Sequence, residues 1–253
     1  TLNPSSAASD VYKRQQLSWA YGGSRGYKEF KYNSEDDRDL TPDEINAQWA
    51  EDKLSELASS DNKEPFFLAV GFLRPHTPLI APQKYFDLYP LEDIQLANIL
   101  ENDKEDTFRN YITDYDTNLK DLEVKSSSLT HKQLKKRWIE MFERLQNSYQ
   151  DPNEGLRRFT QAYLACVSAV DDNIGQVVNA IDNSELKDNT IIVLVSDHGW
   201  TMGEKEHIYK NSPWEESTRI PMTIRVPGMT KTKGLVNHPV SLIDIYPTLL
   251  ELA

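Results

Sequence analysis

Residues 191–199 read IIVLVSDHG, and that stretch decides the fold class. Ile191 to Val195 is a continuous apolar run, mostly β-branched, as expected of a strand buried on both faces. Ser196-Asp197-His198 follows at once, and Gly199 allows a tight turn. On the N-terminal side, Leu156, Phe159, Tyr163, Val167, Val170, Ile174, Val177 and Ile181 step by three and four, which predicts one long helix. On the C-terminal side, Met222–Val226 reads as another strand, closed by Pro227-Gly228.

Further out, Phe66–Phe72 (FFLAVGF) is a second continuously apolar run and reads as a strand. Before it, Thr41-Pro42-Asp43-Glu44 opens a helix, with Thr41 as N-cap and Glu44 three residues on. Ile45, Trp49, Leu54 and Leu57 mark its expected buried face. A last helix spans about 242–252. Strands alternating with helices predict an α/β fold, a mainly parallel sheet covered by helices on both faces. Ligands bind such sheets beyond the carboxyl ends of the strands. Phe66–Phe72 runs into Leu73-Arg74-Pro75-His76-Thr77-Pro78, and Ile191–Val195 runs into Ser196-Asp197-His198. If the strands are parallel, these groups share one rim.

Residues 1–16 are small and polar, carry no apolar leader, and are expected to be a non-native or disordered tail. Residues 17–40 read as irregular loop. Residues 17–253 read as one partial domain, with a polar insertion near 92–154 that is helical around 131–146.

The chain has 253 residues, 38% hydrophobic and 27% charged, with a net charge of −12. That balance argues against a nucleic-acid partner, which calls for a basic surface. No apolar run approaches the roughly 20 residues that span a bilayer, so no membrane partner is expected. An anion site must be built from local cations, within about a Debye length of roughly 8 Å. The single cysteine, Cys166, lies mid-helix and reads as a small buried residue rather than a nucleophile.

Asp197 and His198, at a strand end, are candidate metal ligands; equally, Asp197 can cap the next segment while His198 packs. His76 stands between two prolines that fix its backbone, which suits a positioned acid or anion donor. Lys205, His207 and Lys210 lie within 13 residues of Asp197 and form a cationic cluster, although most lysines are solvated surface. Asp36-Asp37 and Asp171-Asp172 read as ordinary exposed carboxylates.

Phe66–Pro90 and Ile191–Gly228 resemble the sulfatases of the alkaline-phosphatase superfamily, and among them the iduronate-2-sulfatase-like branch. The pattern Tyr163-x-Ala165-x-Val167-Ser168-x-Val170-Asp171 in the long helix and Val240–Thr248 also fit. The resemblance covers about residues 41–253, more weakly through the insertion. It implies an alkaline-phosphatase-like sandwich, incomplete here, with a divalent cation at the strand ends, usually Ca2+, with Mg2+ as the alternative. Asp197 and His198 match the second pair of metal ligands in that branch. Many sulfatases carry Asn where His198 stands, so this histidine is either a ligand or a sulfate contact. His76 matches a histidine that hydrogen-bonds the sulfate ester, and Lys210 a lysine on a sulfate oxygen. Arg74 joins them as a substrate-binding candidate. A sulfated saccharide or other sulfate ester is the implied partner, and a periplasmic, secreted or lysosomal-type compartment the implied setting.

The sequence also departs from that family. Sulfatases attack with a formylglycine made from the cysteine of C-x-P-x-R, and that motif is absent; the nearest string, Leu2-Asn3-Pro4-Ser5-Ser6, lacks both Cys and Arg. The first metal pair, an Asp-Asp after the opening strand, and the family's C-terminal subdomain are not matched either. The chain is therefore expected to be a fragment, inactive alone. Two alternatives stand beside this reading. One is a phosphodiesterase or phosphatase of the same superfamily. The other is a non-catalytic glycan-binding fragment.

Overall fold

A computed structural model describes residues 17–18, 29–61, 64–103, 105, 141–231 and 234–253. The expected tail at 1–16 and most of the expected insertion lie outside the described residues; of the latter's helical stretch, 141–146 is helical. Where irregular loop was expected, Leu17–Ser18 (β1) pairs with Glu29–Phe30 (β2), and Tyr32–Ser34 (β3) with Asp37–Arg38 (β4), each antiparallel.

Helix α1, Pro42–Ser59, starts where its capping box predicts. The Glu44 N–H donates to Thr41 Oγ1 at 3.2 Å, and the Thr41 N–H to Glu44 Oε2 at 2.7 Å. Arg38 closes on the same Glu44 with two bonds, at 2.7 and 2.6 Å. The expected buried face is wrong in part. Ile45 and Trp49 are 53% and 52% exposed, while Ala47, Ala50 and Leu54 are buried. Helix α1 packs along the long helix α3, Pro152–Asp182, with Leu54 against Ile181. Alanine lets two helix axes approach closely, whereas Ile and Trp would hold them apart. A Gln176–Glu51 hydrogen bond of 2.6 Å joins the pair at its polar edge.

Helix α3 is the spine, about 46 Å long at 1.5 Å per residue. Three apolar clusters lie along it. Leu156 packs with Phe142, Leu145 and Ile208 near its start. Ala162, Ala165, Cys166 and Ala169 meet Ala81, Tyr85 and Phe86 of the segment holding the short helix α2, Gln83–Phe86. Ile181 packs with Leu54 and Leu186, and Leu68 and Ile192 lie against them. Leu156 and Ile181 of the expected stripe are buried, the stretch between them is buried mainly through small residues, and Val167 of the stripe is exposed.

The strand at 191–195 forms as β5, Ile192–Val195, and that at 222–226 as β8, Met222–Arg225. They pair antiparallel, Ile192 opposite Arg225 and Val195 opposite Met222, where a parallel neighbour was expected. The link between them carries two-residue strands β6 (Thr201–Met202) and β7 (Ile208–Tyr209) and a four-residue helix, α4 (Glu215–Thr218). A parallel pairing is normally reached through a crossover helix, and the α-helix in this link, α4, has only four residues. Phe66–Phe72 forms no regular element and joins no ladder among the described residues, and Phe67 is 86% exposed. Leu194 and Val195 are exposed as well. The chain closes with helix α5, Ile245–Leu252. No helix among the described residues is long and apolar enough to cross a membrane.

Candidate functional site at the strand ends

The two motif-bearing segments run the same way along α3. Leu68 and Ile192 both start at the Ile181 cluster. The first segment then reaches Arg74, which lines a small hollow with Ala169 and Asn173 of α3. The second reaches Trp200, whose ring lies 5.4 Å from that of Tyr163 and 6.4 Å from that of Phe159. Both thus travel from the C-terminal end of α3 toward its N-terminal half, although among the described residues no ladder joins them directly.

Asp197 and His198 leave β5 together. Asp197 Oδ1 stands 3.5 Å from His198 Nε2, with the aspartate side chain 83% exposed and the histidine 24%. The His198 Nδ1–H donates to the Gly199 carbonyl at 2.8 Å, which leaves Nε2 as the ring nitrogen with a lone pair to offer. An exposed carboxylate and an imidazole this close fit part of a cation site. A calcium ion takes six to eight oxygens, and among the described residues no group of three or more His, Cys, Asp or Glu side chains is placed to hold an ion.

The 73–80 loop is held from inside. The Asp43 carboxylate accepts the backbone N–H of Leu73 at 2.7 Å and of Arg74 at 2.9 Å. Arg74 is buried, and its guanidinium donates to the carbonyls of Ile80 at 2.8 Å and His76 at 3.1 Å. His76 closes a turn to Leu73 through its N–H, at 2.9 Å. Its Nδ1 lies 2.7 Å from the Thr77 carbonyl, which can only accept, so Nδ1 carries a proton. Nε2 is then the nitrogen that can exchange one.

The structure separates the cationic cluster. Lys205 pairs with Asp103 at 2.7 Å and also bonds its carbonyl, and that amine holds the Asp103 carboxyl below the usual range. Burial pushes His207 below its ordinary value, so at neutral pH it carries no charge, and Thr201 Oγ1 lies 3.1 Å from its Nδ1. Lys210 alone is left: among the described residues its amine carries no hydrogen bond or ion pair. It follows Tyr209, whose φ of 76° is unusual for a bulky residue. The Tyr209 ring is wedged edge-on between Phe159 and Trp200, at 5.6 and 5.2 Å. Such strain persists only where the surroundings over-determine it. These aromatic residues and Asp43 were not singled out from sequence as supports, because most of their contacts, such as Phe159 with Tyr209 and Asp43 with Leu73, lie tens of residues apart.

The remaining titratable candidates are structural. Cys166 is fully buried, and burial pushes its thiol up to about 12. Asp172 accepts the Tyr85 hydroxyl at 2.8 Å. Asp37 takes the Asn33 amide at 2.7 Å within the β3–β4 hairpin.

Gly199 is required by close approach. Its N–H donates to the Ser217 carbonyl at 2.7 Å and that of Trp200 to Glu216 at 2.6 Å. A Cβ at 199 would lie 2.7 Å from the Arg219 carbonyl oxygen and nearer still to that of Glu216. Gly199→Ala should therefore destabilise the fold by about 1–3 kcal/mol through overpacking, seen as a lower melting temperature. An unchanged melting curve would contradict the packing.

The sulfatase family profile matches residues 2–253. Over 215 residues the chain is 40% identical to a sulfatase of Formosa agariphila, covering 85% of this chain and 36% of that protein. Over 190 residues it is 31% identical to iduronate 2-sulfatase of Homo sapiens, covering 75% and 31%. The solved structure of yidJ from Bacteroides fragilis matches with a TM-score of 0.55 at 27% identity, over 83% of this chain and 36% of that one. The chain spans about a third of the length of the curated relatives it matches. Its helices and strands make an α/β arrangement of the alkaline-phosphatase-like kind. The chain belongs to the sulfatase family.

Proposed function

We propose that the protein to which this chain belongs hydrolyses sulfate esters, and that His76, Lys210, Asp197 and His198 form its contribution to the active site. The observation that carries this reading is the common direction of the two motif-bearing segments along α3, together with an unpaired Lys210 amine among the described residues. The Lys210 amine and the His76 Nε2 then serve as donors to oxygens on which negative charge grows in the transition state. His76, with Nδ1 tied to Thr77, is also the candidate to hand a proton from Nε2 to the leaving alkoxide. A divalent cation held by Asp197 and His198, calcium in the family's usual case and magnesium as the alternative, would supply further positive charge beside the same oxygens. Arg74 braces the loop through the carbonyls it binds, and a second role on the substrate is part of the proposal. The nucleophile implied by the family, a formylglycine, is not among this chain's residues, so the chain by itself is expected to be inactive.

A sulfated saccharide is the proposed substrate class, supported by the likeness to a protein named for iduronate. The test compares initial rates of the full-length protein on an aryl sulfate, a sulfated uronic-acid saccharide and an aryl phosphodiester. Sulfate release from the saccharide, with none from the isolated chain above a metal-stripped control, is the expected result. Turnover of the phosphodiester alone would favour the phosphodiesterase reading instead.

A further inference from the structure

We infer that Asp43 is a positioning residue for His76, an inference that rests on the placement of His76 in the active site. Asp43 is the second residue of α1 and only 3% exposed. A buried carboxylate is costly unless its oxygens are satisfied, and here each oxygen has a task. Oδ1 accepts from Leu73 and Oδ2 from Arg74, at 2.7 and 2.9 Å. These are consecutive backbone N–H groups, 30 and 31 residues away in sequence, at the point where the apolar segment runs into the histidine loop. The charge also lies in the first turn of a helix, where the backbone dipoles favour an anion.

From that clamp the constraint passes directly to His76. Arg74, fixed at its N–H by Asp43, turns its guanidinium onto the His76 carbonyl at 3.1 Å and the Ile80 carbonyl at 2.8 Å. Leu73, fixed in the same way, accepts the His76 N–H at 2.9 Å. Both backbone groups of His76 are therefore tied to the two residues that Asp43 holds. The Asn46 side chain adds a bond of 2.8 Å to the Gly71 carbonyl one turn along α1. Helix α1 thus works as a rail along which the loop is registered, with Asp43 as its terminal stop. Removing the clamp leaves His76 present but displaced, and a misplacement of about 1 Å in a catalytic group costs on the order of 10²-fold.

The test is a double-mutant cycle in the full-length enzyme, read as kcat and KM on an aryl sulfate. Asp43→Ala is expected to lower kcat on the order of 10- to 10²-fold with KM little changed. Asp43→Asn, which has the same shape and keeps one of the two acceptors, should fall between the two, and it serves if the alanine variant does not accumulate folded. The double variant Asp43→Ala/His76→Ala should be no slower than His76→Ala, because the effect passes through that ring. Multiplying losses in the double variant would reduce Asp43 to a general stabiliser and overturn the inference. So would a wild-type kcat for both Asp43 variants while His76→Ala is impaired. An unimpaired His76→Ala would remove the active-site reading itself, and this inference with it.

Discussion

Lys210→Ala in the full-length enzyme is expected to lower kcat by about 10²–10³-fold, the usual loss for one positioned donor to a developing oxyanion. The expectation rests on the contrast among three neighbouring cations. Lys205 is committed to Asp103, and His207 is neutralised by burial, whereas Lys210 has no partner among the described residues. This chain, with a net charge of −12, offers no long-range attraction for an anion, so a local amine has to supply the positive charge. The strained Tyr209 backbone, held by two aromatic rings, fixes the point from which that amine extends. His76→Ala should show a loss of the same order, since it removes both a donor and the candidate proton source. A solvated surface lysine would instead leave kcat/KM near wild type, and that result for either variant would remove the residue from the site.

The second large effect concerns Asp197. Asp197→Ala should abolish the thermal stabilisation that calcium gives the full-length protein. A ligand at a hundred times its dissociation constant stabilises by about 2.7 kcal/mol, so the wild-type shift is readily measured. The carboxylate is 83% exposed and lies 3.5 Å from the His198 ring, so little of its worth can come from packing within this chain. Loss of the calcium response with an unaltered melting temperature in chelator would separate ligation from structure. A variant that still gains stability from calcium as the wild type does would refute the assignment. Activity should fall along with the response.

Local chemistry made parts of this architecture legible in advance. Thr41, Pro42 and Glu44 announced the start of α1, and the structure shows both bonds of the capping box. Ile191–Val195 announced β5 because a short, unbroken apolar run that is mostly β-branched suits a buried strand. What stayed illegible depends on distant partners. Apolar spacing pointed to Ile45 and Trp49 as buried, but the buried residues are Ala47 and Ala50 with Leu54, since close packing selects size as well as hydrophobicity. Nothing in FFLAVGF says whether a ladder partner lies beside it. Lys205 and Lys210 look alike in sequence, and only Asp103, 102 residues from Lys205, tells them apart. Asp43 read as one more acidic residue in a first helical turn until its bonds to Leu73 and Arg74 were in view.

The claim that the two segments serve one site is tested most directly by a crystal structure of the full-length protein with inorganic sulfate. The account predicts one sulfate within hydrogen-bonding distance of both His76 Nε2 and Lys210 Nζ, beside a cation ligated by Asp197. A structure with the His76 ring and the Lys210 amine on opposite faces of the sheet, or a sulfate bound by neither, would contradict it.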